Sequence, residues 1–483
     1  MLEHLTAGFF RHDGVSITSQ DSIRRMRQLS TEEATSLLLS SAAISERYRG
    51  LPEIADFELR GTLRKTAGFF RFGEGVIGYG QAAIQTQSRA DLELPDALEQ
   101  IQMSDGALLL PFDTDQIVDN LRFERYVGPP ESQRWMEQSW VKDVYYRFRG
   151  LLPTSIRRHL QKIYLSGWES LSLPSWPVDR SVDIFCERLL ILAMRASKKD
   201  RVPFIWFWPS GYGAAAIVTH DIETRLGRDR IGQLLDIDDS FGIKASIQVV
   251  PEKRYPVSSS YLQMLRDRGA EVNVHGLDHD GNLFRNREEF LERARKINEY
   301  AELFGARGFR APSMYRNADW FQDLNFSYDM SVPSVARLEP QQGGCCTVMP
   351  YFLPGGMTEL PLTMTQDYAL FNILNDYSTA LWKKQIGIIL KGHGLISAVV
   401  HPDYLISQRA QSVYKELLAE ISKLHSNREV WAALPGEVDQ WWRQRSEMRL
   451  VPAGTEWRIE GCGSDRAQLA YACLDGDHLV YEY

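Results

Sequence analysis

Carboxylate and imidazole side chains follow several predicted strands in the second half of the chain, and these residue types can bind a metal ion and transfer protons. The first of these strands runs into the sequence Thr219-His220-Asp221-Ile222-Glu223. Because side chains alternate along an extended chain, Asp221 and Glu223 share one face and His220 lies on the other. Two carboxylates at one strand end can act as metal ligand and proton acceptor, although two solvated acids in a surface turn would give the same pattern.

Two histidines, His275 and His279, follow the third predicted strand. Imidazoles at this His-x-x-x-His spacing converge on one cation if the chain turns after the strand, and neutral imidazole suits zinc and related metals. A single pair of this kind is more often a coincidence than a metal site. This pair carries more weight because it is the second acidic or imidazole cluster to fall at a strand end.

Two further strand ends carry an arginine, a serine and a third histidine. Arg310 precedes the turn fixed by Pro312, where it can pair with a carboxylate, and the backbone N–H of Ser313 can face a developing oxyanion. His401 ends an otherwise apolar strand. Taken singly, a structural salt bridge and a hydrogen-bonded core histidine explain these residues at least as well. Independent accidents would seldom place all of these groups at the strand ends of one segment.

Alternating strand and helix patterns position these residues. From about residue 214, predicted strands cover 214–219, 244–250, 270–275, 308–311, 327–332 and 396–401. The clearest helix covers 286–305, where apolar side chains recur at helical spacing, Asn286 and Glu289 form a capping pair and Gly305 ends the helix. This alternation predicts parallel strands covered by helices, in an open sheet or a closed barrel, with chemistry beyond the carboxyl ends of the strands.

The set of motifs resembles that of the polysaccharide deacetylases, carbohydrate esterase family four, which include chitooligosaccharide and peptidoglycan deacetylases. Residues 219–223 resemble the family's Thr-Phe-Asp-Asp motif with one extra residue, and residues 275–279 match His-Ser/Thr-x-x-His apart from the second position. Residues 310–312 resemble the start of Arg-x-Pro-Tyr, and residues 399–401 resemble Leu-x-His. The resemblance covers residues 205–445, half of the chain, and implies a distorted (β/α) barrel.

Three positions depart from the family pattern. Gly276 stands where the family has a hydroxyl residue, Ser313 replaces a tyrosine, and Glu223 is one methylene longer than the usual aspartate. These departures bear on the choice of substrate more than on the type of reaction.

The acid that belongs to the family's fourth motif has two candidates. Asp329, within residues 328–331, is the nearest match to the family's motif of an acid and a tryptophan. Asp367 is a second candidate, for orienting His401. The resemblance therefore places Asp329 among the catalytic residues and keeps Asp367 as an alternative.

The resemblance implies a divalent metal ion held by Glu223, His275 and His279. Zinc is the expected ion, with cobalt, manganese and nickel as alternatives, and one position is left open for water. The division of roles between Glu223 and Asp221 stays open, because Asp221 is also placed to be a ligand.

The remaining residues then take roles in proton transfer and charge stabilisation. Asp221, held by Arg310, is the expected base that takes a proton from the attacking water. The backbone N–H of Ser313 is expected to stabilise the tetrahedral oxyanion. His401 is the expected acid that protonates the departing sugar nitrogen, since an unprotonated amine is a poor leaving group.

Length and charge narrow the classes of protein. The chain has 483 residues, enough for about two to four domains, and its 55 basic and 63 acidic side chains give a net charge of −8 without a basic block. A nucleic-acid partner is therefore not expected. The 5 cysteines show no metal-type spacing and are expected to be reduced and buried.

The sequence predicts a cytoplasmic protein without a transmembrane segment. No export signal is recognisable near residue 1, and no uninterrupted apolar stretch reaches about 18 residues. The basic amphipathic segment 155–164 suits contact with an anionic membrane surface, but a solvated helix face is the favoured interpretation.

Three parts are predicted: an accessory α+β region of unassigned function at 1–200, a deacetylase-like (β/α) barrel at 201–445, and a small β appendage at 446–483. The expected function is a metal-dependent hydrolase that cleaves the acetyl amide of N-acetylated amino sugars, in a polysaccharide or its cytoplasmic precursor. Two alternatives remain. One is a non-catalytic carbohydrate-binding or scaffold protein on a deacetylase fold, and the other is a metal-dependent amidase or esterase with a non-sugar substrate.

Overall fold

A computed structural model describes residues 37–39, 42–127, 165 and 167–483. Its strands are β1 (Leu37–Leu38), β2 (Asp56–Leu59), β3 (Gly68–Arg71), β4 (Ile77–Gly80), β5 (Gln102–Ser104), β6 (Ala107–Leu110), β7 (Arg201–Ile205), β8 (Ala214–Ile222), β9 (Ala245–Val249), β10 (Glu271–His275), β11 (Gly308–Arg310), β12 (Tyr328–Asp329), β13 (Tyr351–Phe352), β14 (Thr358–Glu359), β15 (Leu395–Val399), β16 (Val430–Ala432), β17 (Arg449–Ala453), β18 (Glu456–Glu460), β19 (Leu469–Asp475) and β20 (His478–Glu482). Its α-helices are α1 (Ala42–Arg47), α2 (Thr114–Arg122), α3 (Ser181–Ala196), α4 (Arg225–Ser240), α5 (Ser259–Asp267), α6 (Arg287–Phe304), α7 (Ala380–Lys391), α8 (Gln408–Ser426) and α9 (Pro435–Glu447).

The largest sheet contains the strands that carry the candidate residues. Its order is β13-β14-β12-β11-β10-β9-β8-β15, and β16 also pairs with β8. All neighbours from β14 to β15 are parallel, whereas β13 is antiparallel to β14. Helices α4 to α8 lie between successive parallel strands along the chain. The predicted alternation is confirmed, and the curled half-barrel sheet fits the predicted distorted barrel.

The two faces of this sheet differ in polarity. Val218 and Val274 belong to an apolar cluster with side chains from helices α4 to α8. Residues of the opposite parity point to the inner face, where Asn273 donates hydrogen bonds to Ser246 Oγ at 2.8 Å and Tyr328 Oη at 2.7 Å. The inner face therefore carries buried polar side chains, and the candidate residues lie at its carboxyl end.

Strand β8 continues beyond its predicted end. Asp221 consequently lies inside the strand and Glu223 follows it directly. The predicted alternation of side chains is confirmed, because His220 turns to the outer face, where its Nε2 lies 2.9 Å from Asp238 Oδ2 in α4. The first motif is thus split between two faces: His220 lies on the outer face, and Thr219 lies on the inner face with the two acids.

The other predicted elements are present with small differences. The predicted strand 327–332 is reduced to β12, and β13, β14 and β16 are additional to the prediction. Helix α6 begins and ends as predicted, since Asn286 Oδ1 accepts the Glu289 N–H at 2.9 Å and Gly305 adopts a φ of 58°. Capping and periodicity together were sufficient to place this helix.

The N-terminal region packs against the inner face of the main sheet. It contains a sheet of order β1-β2-β6-β5, the hairpin β3-β4 and helices α1 to α3. One apolar cluster joins α3 and the aromatic segment 204–208 to Ile217 of β8 and Leu395 of β15. The inner face is therefore covered by chain that precedes the barrel strands.

The C-terminal strands share a sheet with the start of the barrel region. Strand β19 pairs with β20 on one side and with β7 on the other, where Leu469 lies opposite Ile205. Strands β17 and β18 form a hairpin. The segment predicted as an appendage is thus joined to β7 by backbone hydrogen bonds.

Two other sequence predictions concern cysteines and membranes. None of the described helices has the length and apolar character needed to cross a membrane. The basic segment 155–164 lies outside the described residues. All 5 cysteines are free, but the prediction of burial is wrong for Cys462, which is exposed, and Cys473, which is partly exposed. The buried cysteines are Cys186, Cys345 and Cys346.

Candidate active site

Glu223, His275 and His279 come together as the sequence predicts. One ligand atom from each residue lies within 4.8 Å of the other two. Both histidines are 1% exposed, whereas the Glu223 side chain is 19% exposed. The cluster therefore has a buried imidazole side and a carboxylate side that solvent can reach.

A glycine turn brings the two histidines to one point. Gly276 follows β10 with a φ of 61°, a conformation that favours glycine. A Cβ at this position would lie 2.4 Å from Pro312 Cγ, so a side chain has no room. His279 also has a positive φ, of 55°. The packing of Pro312 gives a physical reason why glycine replaces the hydroxyl residue of the resembled motif.

The chemistry of these side chains fits a metal ion. His275 Nδ1 lies 3.1 Å from the carbonyl oxygen of Arg310 and therefore carries the proton, which leaves a lone pair on Nε2. Burial lowers the pKa of His275 to about 4, so its imidazole is neutral. The buried Nε2 of His275 has no hydrogen-bond partner among the described residues, and the buried Nε2 of His279 lies 3.0 Å from Glu223 Oε1. Buried imidazole nitrogens that converge with the Glu223 carboxylate suit a cation such as zinc.

The loop that carries His279 is held by basic side chains. Arg254 donates to the carbonyl oxygen of Asp278 at 3.0 Å and to that of His279. Lys253 Nζ lies 2.6 Å from Asp278 Oδ2. Residues that form hydrogen bonds to a metal ligand, and so set its orientation, commonly control the affinity of the site for the metal. No sequence pattern indicates this role for Arg254, because the contact is made through backbone carbonyls.

Asp221 is held as a carboxylate at the edge of the cluster. Its Oδ1 accepts a hydrogen bond from Arg310 Nη1 at 2.7 Å, and its Oδ2 lies 3.7 Å from His275 Nε2. Burial alone would raise the pKa of Asp221, but Arg310 and the neighbouring imidazoles of His275 and His401 together outweigh burial and hold this pKa below its usual range. The predicted pairing of Arg310 with Asp221 is present, and Asp221 is charged at neutral pH.

His401 faces the same cluster from the end of β15. Its Nε2 lies 3.7 Å from Glu223 Oε1 and 4.0 Å from Asp221 Oδ2. Its Nδ1 lies 2.7 Å from Asp367 Oδ1, and its backbone N–H donates to Asp367 Oδ2 at 2.8 Å. Burial lowers the pKa of His401, but Asp367, together with Glu223 and Asp221, outweighs burial and raises this pKa to about 10. His401 is therefore protonated and aimed at the acids.

Asp329 does not contact His401, because Asp367 occupies the imidazole Nδ1. Asp329 instead accepts two hydrogen bonds from Ser331, from Oγ at 2.7 Å and from the backbone N–H at 2.8 Å. It lies next to Glu359 of β14, a carboxyl group that the sequence analysis missed. Burial raises the pKa of both carboxyl groups, and Asp329 raises that of Glu359 further. The structure thus favours the second candidate, Asp367, as the partner of His401.

Ser313 lies in a turn that directly follows β11. Its φ is 56°, and that of Met314 is 54°, so two successive residues with side chains adopt the left-handed conformation. Pro312, which begins the turn, packs against Gly276. Ser313 therefore lies near Arg310 in the chain, in a turn that also contacts the loop carrying His279. Its role toward an oxyanion stays a prediction.

No protein-family model matches the chain, and no curated protein matches it. A solved structure named as a polysaccharide deacetylase from Mycobacterium smegmatis is 18% identical, covering 52% of this chain and 98% of its own, with a TM-score of 0.41. One named as a polysaccharide deacetylase from Pseudomonas aeruginosa PAO1 is 13% identical, covering 49% and 93%, with a TM-score of 0.39. A Puue allantoinase is 13% identical, covering 49% and 92%, with a TM-score of 0.39. The matching structures thus include the family that the motifs resemble.

Proposed function

We propose that this chain is a metal-dependent hydrolase that removes acetyl groups from N-acetylated amino sugars. The observation that carries the proposal is the convergence of the buried imidazole nitrogens of His275 and His279 with the Glu223 carboxylate. A charged acid, Asp221, and a protonated imidazole, His401, face the same cluster. A base and an acid on one metal-binding cluster are the groups that amide hydrolysis needs.

Glu223, His275 and His279 would hold the ion. A divalent cation bound there supplies a Lewis acid for the acyl carbonyl and brings the pKa of water to about 7. Asp221 then accepts the proton of the attacking water, because Arg310 keeps its carboxylate charged and oriented. Arg310 also donates from Nη1 to Thr219 Oγ1 at 2.8 Å and from Nε to the carbonyl oxygen of residue 330 at 3.1 Å. These hydrogen bonds hold the guanidinium in place, and the guanidinium in turn holds the carboxylate of Asp221.

His401 is the proposed acid. Asp367 fixes the imidazole through both its ring and its backbone, which sets the direction of Nε2. The proton on Nε2 passes to the departing amine nitrogen as the bond between carbon and nitrogen breaks, so that the products are acetate and a free amine. The backbone N–H of Ser313 is the proposed donor to the oxyanion.

The substrate class rests on the resemblance of the motifs. An acetylated amino sugar is the default of that family, and a lipid-linked, nucleotide-linked or oligosaccharide intermediate would suit the expected cytoplasmic location. Both the sugar and the location remain proposals. Their test needs a panel of substrates rather than one compound.

The experiment is metal analysis of the purified protein together with acetate release from chitooligosaccharides and other N-acetylated sugars. We expect about one equivalent of zinc and measurable acetate. His275→Asn should lose both, because it removes a proposed ligand. His393→Asn is the matched control, since His393 is a largely buried histidine whose Nδ1 lies 3.0 Å from the carbonyl oxygen of Gly213, outside the cluster. Loss of metal in both variants would contradict the assignment.

The same experiment separates the two alternatives. A non-catalytic carbohydrate-binding protein would show neither stoichiometric metal nor acetate release. An amidase or esterase with another substrate would bind metal and hydrolyse a simple acetyl ester or amide, but would release no amine from chitooligosaccharides. Asp221→Asn and Glu223→Ala then decide between base and ligand, because loss of metal only in the first would exchange the two roles.

A further inference from the structure

The proposed oxyanion donor, the backbone N–H of Ser313, lies in a strained turn. Ser313 and Met314 both have positive φ, at 56° and 54°. Residues with a Cβ adopt this conformation rarely, and they keep it only where the surrounding structure holds them. The turn is anchored on one side by the contact of Pro312 with Gly276. The group that holds its other side therefore controls the position of the Ser313 backbone.

Arg316 is the group on the other side. Its Nη1 donates to the carbonyl oxygen of Met314 at 2.8 Å, and its backbone N–H donates to Gln341 Oε1 at 2.9 Å. The Arg316 side chain is 1% exposed. A guanidinium removed from water to this extent needs a partner of opposite charge.

Glu124, from the N-terminal region, supplies that charge. Arg316 Nε lies 2.6 Å from Glu124 Oε2, and Nη2 contacts Oε1, so the pair is bidentate. Glu124 Oε1 also accepts the backbone N–H of Gly344, and Tyr126 donates to the Gly344 carbonyl oxygen at 2.7 Å. The segment after α2 thus contacts both Arg316 and the backbone of Gly344.

The second carboxyl group near Arg316 does not replace Glu124. Glu339 lies close enough to affect Arg316, but burial raises the pKa of Glu339 to about 7. Glu339 is therefore only partly charged near neutral pH. The carboxylate in direct bidentate contact with Arg316 is that of Glu124.

We propose that Glu124 is a positioning residue for the active site. By pairing with Arg316 it fixes the turn that carries Ser313, so the N-terminal region takes part in arranging the site. The inference rests on the proposed hydrolase function only where it concerns turnover. The position of the turn itself can be measured without a substrate.

The test compares Glu124→Gln with Glu46→Gln in the full chain. Glu46 is a matched control, because its Oε2 lies 2.7 Å from the largely buried Arg122 in the same region, without a contact to the turn. Amide hydrogen exchange of peptides covering 312–317 reports the turn, and thermal unfolding reports stability. kcat and KM for acetate release from chitooligosaccharides, and zinc content, report the site. Glu124→Asp provides a conservative variant that keeps the charge.

We expect Glu124→Gln to increase exchange in 312–317 at least about fivefold and Glu46→Gln to leave it unchanged. kcat should fall about 10- to 100-fold with KM and zinc content little changed, since a displaced oxyanion donor affects the transition state. Glu124→Asp should recover part of both effects.

Unchanged exchange in Glu124→Gln would overturn the positioning role, whatever its stability. Increased exchange with wild-type kcat would overturn the claim that the turn matters for the reaction. If the wild-type chain itself releases no acetate from any sugar, the proposed function fails, and hydrogen exchange alone then decides whether Glu124 holds the turn.

Discussion

Replacing Asp367 by asparagine tests the proposed acid most directly. Burial lowers the pKa of His401, whereas Asp367, with smaller contributions from Glu223 and Asp221, outweighs burial and raises this pKa to about 10. Below this value the imidazole carries a proton, so wild-type turnover should keep its proton donor across the neutral range. An asparagine side chain would keep a similar size and a hydrogen bond, but it would remove the charge that raises the pKa.

The size of the effect follows from that charge. Without it, burial is the largest influence left, because Asp221 is paired with Arg310 and Glu223 faces the proposed cation. We therefore expect the pKa of His401 in Asp367→Asn at or below the ordinary value of about 6.5. At about pH 7.5 a group with that pKa is protonated in roughly one molecule in ten, so kcat should fall about tenfold or more, and less at about pH 6.

The assay is acetate release between about pH 5.5 and 9.5, with zinc content measured alongside. The wild type should keep its activity on the alkaline side, whereas in Asp367→Asn the activity should already fall near neutral pH. Asp238→Asn is the matched control, because Asp238 pairs with another buried histidine, His220, at 2.9 Å outside the cluster. It should lower stability without moving the alkaline limb. An alkaline limb in Asp367→Asn like that of the wild type would refute the assignment of His401.

Three further predictions concern the metal loop and stability. Gly276→Ala adds a Cβ 2.4 Å from a proline ring carbon at a position with positive φ, so urea unfolding should show a loss of about 2–4 kcal/mol in the free energy of unfolding. Gly242→Ala is the control: its φ is also positive but its surroundings are open, so it should lose only about 1 kcal/mol. Arg254→Ala removes the donor to the His279 carbonyl and should weaken zinc binding about 10- to 100-fold in competition with a chelator, while a wild-type affinity would exclude this role. Burial lowers the pKa of His393 to about 4, so between about pH 6.5 and 4 the unfolded chain binds a proton that the folded chain does not, and stability falls as the pH falls. His393→Asn should remove up to about 3 kcal/mol of this pH dependence of the free energy of unfolding. The same dependence of stability on pH in the variant and the wild type would contradict this account.

The sequence was sufficient to group the residues of the candidate metal cluster, for a reason that lies in the sheet. Parallel strands place their carboxyl ends at one edge, so Asp221, His275 and Arg310 could be grouped before any distance was known. Alternation also placed His220 on the opposite face, where it pairs with Asp238. Local periodicity and strand direction carry this information.

The partners of these residues could not be found in the same way. Asp367 contacts His401 from 34 residues earlier in the chain, and half of that contact uses a backbone N–H that any residue would offer. The sequence favoured Asp329 over Asp367, because a short strand, β12, gives little pattern against which to test that match. Glu124 is 192 residues from Arg316, and no spacing rule connects them. Such pairs depend on tertiary packing.

The pairing of β7 with β19 has a consequence for how the molecule is made. Leu469 reaches its partner Ile205 only after the whole intervening barrel has been synthesised. Until then one edge of β7 offers free backbone groups, which neighbouring nascent chains can also pair with. Fragments that stop before residue 469 should therefore aggregate at concentrations where the full chain stays dispersed, and late strand closure should make refolding slow.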